Sequence, residues 1–112
     1  MNSYELRPLP DFLTSGYINW KSSVYSTKKN LHEKLYREGQ RPKFMVISCC
    51  DSRINPNAIF NTDIGDLFVY RNIANIVPDF GATIFEDGIF SALEYATSSL
   101  KIENIIVLGH SN

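Results

Sequence analysis

Short apolar runs alternate with helical patterns along this chain, and the alternation predicts an α/β fold. Residues 43–48, 66–70 and 104–108 are short and largely apolar, which is typical of strands buried on both faces of a sheet. An asparagine followed by proline predicts a short helix over 56–60, and 86–100 carries apolar residues at helical spacing. Strands that alternate with helices in this way predict a mostly parallel sheet flanked by helices.

The N-terminal part of the chain predicts a helical arm. Residues 11–38 carry apolar side chains at roughly helical spacing, and Gly39 is a typical helix stop signal. Several of these side chains are aromatic and fit a packing surface better than the core, so we expect the arm to pack on something else, such as a second subunit. The prediction is one domain, with an arm (1–40) followed by an α/β core (41–112).

Composition narrows the class of protein. Hydrophobic residues make up 44% and charged residues 21% of the 112 residues, a balance that argues against disorder. The net charge of -1 gives no reason to expect nucleic acid or a membrane as partner, and no apolar run approaches the ~18 residues of a membrane span. Cys49 and Cys50 are adjacent, so they cannot close a long loop, and we expect thiols in a reducing, cytoplasmic compartment.

Residues capable of chemistry follow each predicted strand. Cys49, Asp51 and Arg53 come after the first strand, an Arg71–Asn72 pair after the second, and His110 after the third. Because ligands bind beyond the carboxyl ends of the strands in an open parallel sheet, these side chains are expected to face one site. Zinc favours cysteine sulfur and histidine nitrogen, and catalytic zinc sites keep one position open. The pattern therefore predicts a zinc site with an acid–arginine pair beside it.

Each cluster also has a plainer interpretation. Cys49 and Cys50 are equally compatible with a small buried cysteine pair, or less readily with a strained disulfide between neighbours. A single histidine such as His110 is more often a hydrogen-bonded loop residue than a ligand. Arg71 is compatible with anion binding, with clamping a turn, or with an ion pair to an acidic residue of the 63–66 turn.

Three segments together resemble the β class of carbonic anhydrases. Residues 49–53 (CCDSR) match the C-x-D-x-R motif of that family. Residues 68–75 (FVYRNIAN) match its F-V-x-R-N-x-A-N segment, and 109–112 (GHSN) match the start of its G-H-x-x-C-G motif. Three motifs in the family order are far more specific than any one of them.

The resemblance implies an α/β fold of Rossmann-like strand order that binds Zn²⁺ and catalyses reversible hydration of carbon dioxide to bicarbonate and a proton. It implies that Cys49 and His110 are zinc ligands and that Asp51 and Arg53 form the catalytic dyad, with Asp51 itself on zinc in one inactive form. The third protein ligand would fall just after Asn112. We therefore expect a truncated domain that is incomplete at its C-terminus, and one alternative is that the chain as it stands is inactive.

The resemblance also implies assembly into a homodimer or higher homo-oligomer through the N-terminal helices. Two departures bear on the subtype, because Val46 and Asp63 stand where some members have tryptophan and glutamine. Three alternatives stay open. The first is a related zinc hydrolase that acts on carbon disulfide or carbonyl sulfide. The second is an inactive truncated domain, and the third is a metal-free α/β interaction module.

Overall fold

The structure is a computed structural model in which residues 5–79 and 87–112 are described. The chain falls into two compact units, Met1–Glu38 and Gly39–Asn112. The grouping of both into one truncated domain stays a prediction.

The first unit is helical, as the sequence predicts. Helix α1 spans Asp11–Asn19, a π-helical segment spans Trp20–Tyr25, and helix α2 spans Lys29–Glu38. Gly39 follows with a φ of +77°, the left-handed conformation in which glycine ends helices. Asp11 is the first helical residue, where its charge suits the helix dipole.

Hydroxyl groups explain why the π-helical segment interrupts this unit. The Ser23 hydroxyl donates to the Asn19 carbonyl, and the Ser26 hydroxyl donates to the Ser22 carbonyl at 2.6 Å. Such bonds to carbonyls three or four residues back compete with the regular helical ladder and distort it. The apolar periodicity alone does not reveal this irregularity.

Apolar side chains of the arm are exposed within the described chain. Phe12 is 74% exposed and Tyr17 is 57% exposed, while Trp20 packs against Tyr25 and His32. Among the helices the structure describes, none combines the length and the apolar character needed to cross a membrane.

The second unit is built on parallel strands, which confirms the predicted fold class. Among the described residues, β1 (Phe44–Cys49) lies between β2 (Leu67–Asn72) and β3 (Asn104–Leu108), and both pairings are parallel. Strand β2 runs two residues further than the apolar run predicts. Arg71 and Asn72 therefore belong to the strand itself, and their backbones are held by the sheet.

The helical segment that precedes β3 covers one face of this sheet. Helix α3 spans Pro56–Ile59, and α4 spans Asp87–Glu94 and continues as a π-helical turn over Tyr95–Ser99. The predicted helix over 86–100 is thus found, although residue 86 lies outside the described residues. A buried cluster packs strand β1 against this helical segment and the loop that follows it. Its members are Met45, Ile47, Ile89, Ala96 and Ile102.

Helix α3 begins with a side-chain cap that yields a stability prediction. The Asn55 side-chain oxygen accepts hydrogen bonds from the backbone N–H groups of Asn57 at 3.1 Å and Ala58 at 3.5 Å. The substitution Asn55→Ala is expected to lower the free energy of unfolding by about 1 kcal/mol, because these donors lose their acceptor. Urea denaturation followed by circular dichroism measures this. Asn55→Asp keeps a capping oxygen and serves as the control, so an equal loss in both variants would contradict the cap.

Candidate functional site

The register of the sheet brings the predicted residues to one edge. Cys49 is the last residue of β1 and lies opposite Asn72 of β2, while Ser48 lies opposite Leu108 at the end of β3. His110 follows β3 two residues later and reaches the Cys49 side chain. The residues predicted to form the site therefore lie together, at or just after the carboxyl ends of the three described strands.

The Cys49 sulfur sits in a hydrogen-bonded setting. Its residue is only 8% exposed, and its thiol is free. The His110 side chain and the backbone N–H groups of Asp51 and Ala74 hydrogen-bond to this sulfur, and they lower the pKa of Cys49 to about 7, against the opposing effect of burial. Hydrogen bonds from N–H groups stabilise the thiolate, which is the form that binds metals.

His110 is tied to the same sulfur. The hydrogen bond to Cys49 raises the pKa of His110, and a contact with the Ser111 backbone contributes in the same direction. Its Nδ1 lies 3.1 Å from the Ser111 carbonyl oxygen. Because a carbonyl oxygen only accepts, this contact requires a proton on Nδ1. Nε2 is therefore the nitrogen that a metal would bind, once it has lost any proton that it shares with Cys49.

Asp51 and Arg53 form a two-pronged ion pair. Arg53 Nε donates to Asp51 Oδ1 at 3.0 Å and Arg53 Nη2 donates to Asp51 Oδ2 at 2.9 Å, while the Arg53 backbone N–H donates to Oδ1 at 2.8 Å. These bonds hold the pKa of Asp51 well below its usual range and raise the pKa of Arg53. The Asp51 side chain is 20% exposed, so an ionised carboxylate faces the site with limited access to water. Arg53 Nη2 also donates to the Asn112 carbonyl.

Arg71 clamps the turn that follows β1. Its guanidinium donates from Nε to the Cys49 carbonyl at 2.8 Å, and from Nη2 to the carbonyls of Asp51 at 2.8 Å and Ile54 at 2.5 Å. Of the interpretations that the sequence left open, the structure therefore shows the turn clamp. The partners are backbone atoms, which have no signature in the sequence.

Asn72 closes a second turn on the other side of Cys49. Its side chain accepts from the Ile76 backbone N–H at 2.9 Å and donates to the Ile76 carbonyl at 2.8 Å. Within this turn Ala74 has φ 64° and ψ 24°, a left-handed conformation that alanine seldom adopts, and its N–H meets the Cys49 sulfur. Sequence reasoning missed Ala74 because only tertiary contacts hold alanine there. The asparagine before it was the available signal, since its side chain favours local backbone hydrogen bonds.

Cys50 has a different environment from Cys49. It is exposed, and it carries a free thiol. Its backbone N–H donates to the Asn72 carbonyl at 2.9 Å, which extends the β1–β2 pairing into the turn. The disulfide between neighbours that the sequence left open is thus not formed here.

The donor set at this edge fits part of a zinc site. A cysteine sulfur and a histidine nitrogen in contact are the donors that zinc prefers, whereas both Asp51 oxygens are engaged by Arg53. Over residues 5–79 and 87–112, no group of three or more histidine, cysteine, aspartate or glutamate side chains is arranged to hold a metal ion. The described residues therefore supply two donors of the three protein ligands usual in catalytic zinc sites.

Comparison with known proteins gives a consistent set of relatives. A family model described as carbonic anhydrase matches residues 44–112. The chain is 40% identical over 99 residues to beta carbonic anhydrase 3 of Arabidopsis thaliana, covering 88% of this chain and 38% of that protein. It is 42% identical over 100 residues to a carbonic anhydrase of Synechocystis, covering 89% of this chain and 35% of that protein.

Solved structures give the same result for the fold. The structure of the β-carbonic anhydrase CcaA matches with a TM-score of 0.82 at 42% identity, covering 89% of this chain and 47% of that chain. A match to the crystal structures of two tetrameric β-carbonic anhydrases of the ascomycete Sordaria macrospora has a TM-score of 0.76 at 34% identity. It covers 89% of this chain and 48% of that chain. The chain thus spans less than half the length of each of these relatives.

Proposed function

This chain belongs to the β class of the carbonic anhydrase family, and from that premise we propose that its protein catalyses reversible hydration of carbon dioxide to bicarbonate and a proton. The observation that carries the proposal is the contact between the Cys49 thiol and the His110 imidazole, beside the ion-paired Asp51 and Arg53. A thiolate, an imidazole and an ionised carboxylate at one sheet edge suit a metal that activates water.

We propose that Cys49 and His110 hold zinc in this protein, together with a further protein ligand. A hydrogen-bonded thiolate and a histidine whose Nδ1 is held by a backbone carbonyl suit that role. Bound zinc supplies water activated as a nucleophile at neutral pH. The described residues supply the orientation around it.

The role proposed for Asp51 follows from its charge and its partner. Because Arg53 keeps the pKa of Asp51 low, the carboxylate is ionised at neutral pH and can accept a hydrogen bond from the attacking water but cannot donate one. Both of its oxygens are held by Arg53, which sets its direction and opposes its moving onto the metal. Asp51 is thus proposed to orient the nucleophile, and Arg53 to orient Asp51.

Assembly is proposed from the arm. Exposed apolar side chains such as Phe12 and Tyr17 would leave water if the arm packed against a neighbouring copy. The relatives from Sordaria macrospora are described as tetrameric, which supports a homodimer or a higher homo-oligomer here. Free Cys49 and Cys50 support a reducing, cytoplasmic compartment.

No observation favours the other functions that the sequence left open. A metal-free interaction module gives no reason for a cysteine and a histidine to share a hydrogen bond beside an ion-paired carboxylate. Hydrolysis of carbon disulfide or carbonyl sulfide would use the same groups, and the relatives compared here are described as carbonic anhydrases.

The proposal predicts a zinc-dependent activity. In the full-length protein we expect about one zinc per chain by plasma mass spectrometry, and carbon dioxide hydration in a stopped-flow assay with a pH indicator. Removal of the metal with dipicolinate should abolish hydration, and added zinc should restore it. Turnover of carbon disulfide in place of carbon dioxide by the zinc-loaded protein, or full activity after chelation, would contradict the proposal.

A further inference from the structure

Arg71 links the second strand to the turn that carries the proposed catalytic groups. It lies near the end of β2, across from Ser48, and its backbone is held by the sheet. Its side chain donates to three carbonyls of the turn Cys49–Ile54, at 2.8, 2.8 and 2.5 Å. A planar guanidinium with five N–H donors can satisfy several carbonyls at once, which a lysine ammonium does less well.

The carbonyl groups that Arg71 binds lie before, within and after the part of the turn that carries the proposed catalytic pair. Cys49 begins the turn and Ile54 ends it, and Asp51 lies between them with its carboxylate held by Arg53. The turn also has its own bond, from the Ile54 backbone N–H to the Asp51 carbonyl at 3.0 Å. Without Arg71 that bond remains, but the charged link between the turn and β2 is lost.

The guanidinium is already committed to the backbone. Both Nε and Nη2 are used on carbonyl oxygens, and these are the nitrogens that present one edge of the fork. An anion at that edge would have to displace the carbonyls of the turn. The contacts therefore favour a structural link to the turn over capture of an anion.

We propose that Arg71 is a positioning residue that fixes the Cys49–Ile54 turn, and so fixes the direction of the Asp51 carboxylate relative to the Cys49 sulfur. The inference rests on the proposed function, since it assigns Arg71 to the geometry of that site. Displacements of about 1 Å at such a site cost up to about 100-fold in rate. Arg71 acts through the backbone carbonyls of this turn.

The test compares Arg71→Ala and Arg71→Lys with a matched control in the full-length protein. Arg41→Ala is the control, because Arg41 is an exposed arginine that precedes the first residue of β1, at the end of the strand opposite to the site. For Arg71→Ala we expect kcat to fall about 10- to 100-fold with KM within about twofold and zinc content unchanged. Guanidinium chloride at millimolar concentration should restore part of kcat in this variant. Arg71→Lys should lose less, and Arg41→Ala should match the wild type.

Wild-type hydration is measured first, and its absence would count against the proposed function rather than against Arg71. With an active wild type, three results would overturn the inference. The first is an unchanged kcat in Arg71→Ala. The second is a rise in the KM for bicarbonate alone, which capture of an anion by Arg71 would give. The third is a loss of zinc that guanidinium does not reverse. Failure of both Arg71 variants to fold, by circular dichroism, would also overturn it, because the role would then be the stability of the sheet.

Discussion

Replacing Cys49 with serine is expected to remove zinc from the full-length protein and to reduce carbon dioxide hydration to the uncatalysed rate. The sulfur of Cys49 receives hydrogen bonds from His110 and from two backbone N–H groups, which lower the pKa of this thiol to about 7 and favour the thiolate that a metal needs. A serine hydroxyl does not ionise at neutral pH, and oxygen from an alcohol is a poor zinc ligand. The measurements are metal content by mass spectrometry and stopped-flow hydration.

The neighbouring residue provides a matched control for this prediction. Cys50 is also a free cysteine, but it is exposed and stands outside the proposed ligand set. Cys50→Ser is expected to keep zinc and activity within about twofold of the wild type, since surface substitutions away from special features have small effects. Zinc loss in Cys50→Ser with retention in Cys49→Ser would reverse the assignment of the ligand. Retention in both would remove the metal site from this edge of the sheet.

Metal binding at this pair should also depend on pH in a defined direction. A histidine must lose its proton to ligate a metal, and the pKa of His110 is raised by its hydrogen bond to Cys49. The lowered pKa of Cys49 acts in the opposite sense, since the thiolate is available at lower pH than for an ordinary cysteine. Protons compete with the metal at both groups, so acid weakens binding.

The fold was predictable because burial leaves a direct pattern in the sequence. The three apolar runs became β1, β2 and β3, although the predicted burial on both faces holds for β1, whereas β2 and β3 stay partly exposed. The stripe that includes Ile89 and Ala96 was likewise predicted from helical spacing, and both residues are fully buried against the sheet. In a parallel sheet, the order of elements then determines which strand ends share an edge.

In the candidate site, only residues whose side-chain type itself suggests chemistry could be predicted from the sequence. Cys49, Asp51 and His110 carry unusual chemistry at strand ends, so their convergence follows from topology. Arg71 acts on carbonyl oxygens, which every residue has, and the sequence cannot show which of them a guanidinium reaches. Ala74 is harder still, because its left-handed backbone is imposed by its surroundings against its own preference.

The same reasoning explains the differences in the arm. The spacing of apolar residues predicts a helix there, but the bonds from Ser23 and Ser26 that distort its middle depend on rotamers that spacing does not encode. His32 is half-buried against Trp20 and Tyr25, a contact that the spacing of apolar residues does not encode either. Exposed apolar residues remain on the arm, as the proposed packing against another copy of the chain requires.

Asp51→Asn is expected to lower kcat at least about 100-fold while zinc content stays near that of the wild type. Asparagine keeps the shape of the side chain, but it loses the negative charge and presents an N–H₂ group where an oxygen now accepts from Arg53. The amide of asparagine therefore no longer offers the attacking water a charged acceptor oxygen that is held in one direction. Since Cys49 and His110 are untouched, the metal should remain, which separates this variant from Cys49→Ser.

Arg53→Ala tests the other half of the pair through its pH profile. Arg53 holds the pKa of Asp51 well below its usual range, so the carboxylate stays charged far into acid and its contribution is lost only as pH falls through that depressed value. Without the guanidinium, the pKa of Asp51 should rise toward the ordinary ~3.9, and the acid limb of the kcat profile, measured on protein kept saturated with zinc, should move to higher pH. The control is Ser52→Ala, an exposed position between the two residues, which should leave rate and profile unchanged. An Arg53→Ala protein with wild-type kcat, or an Asp51→Asn protein with wild-type kcat and full zinc, would show that the ion pair has no part in the reaction.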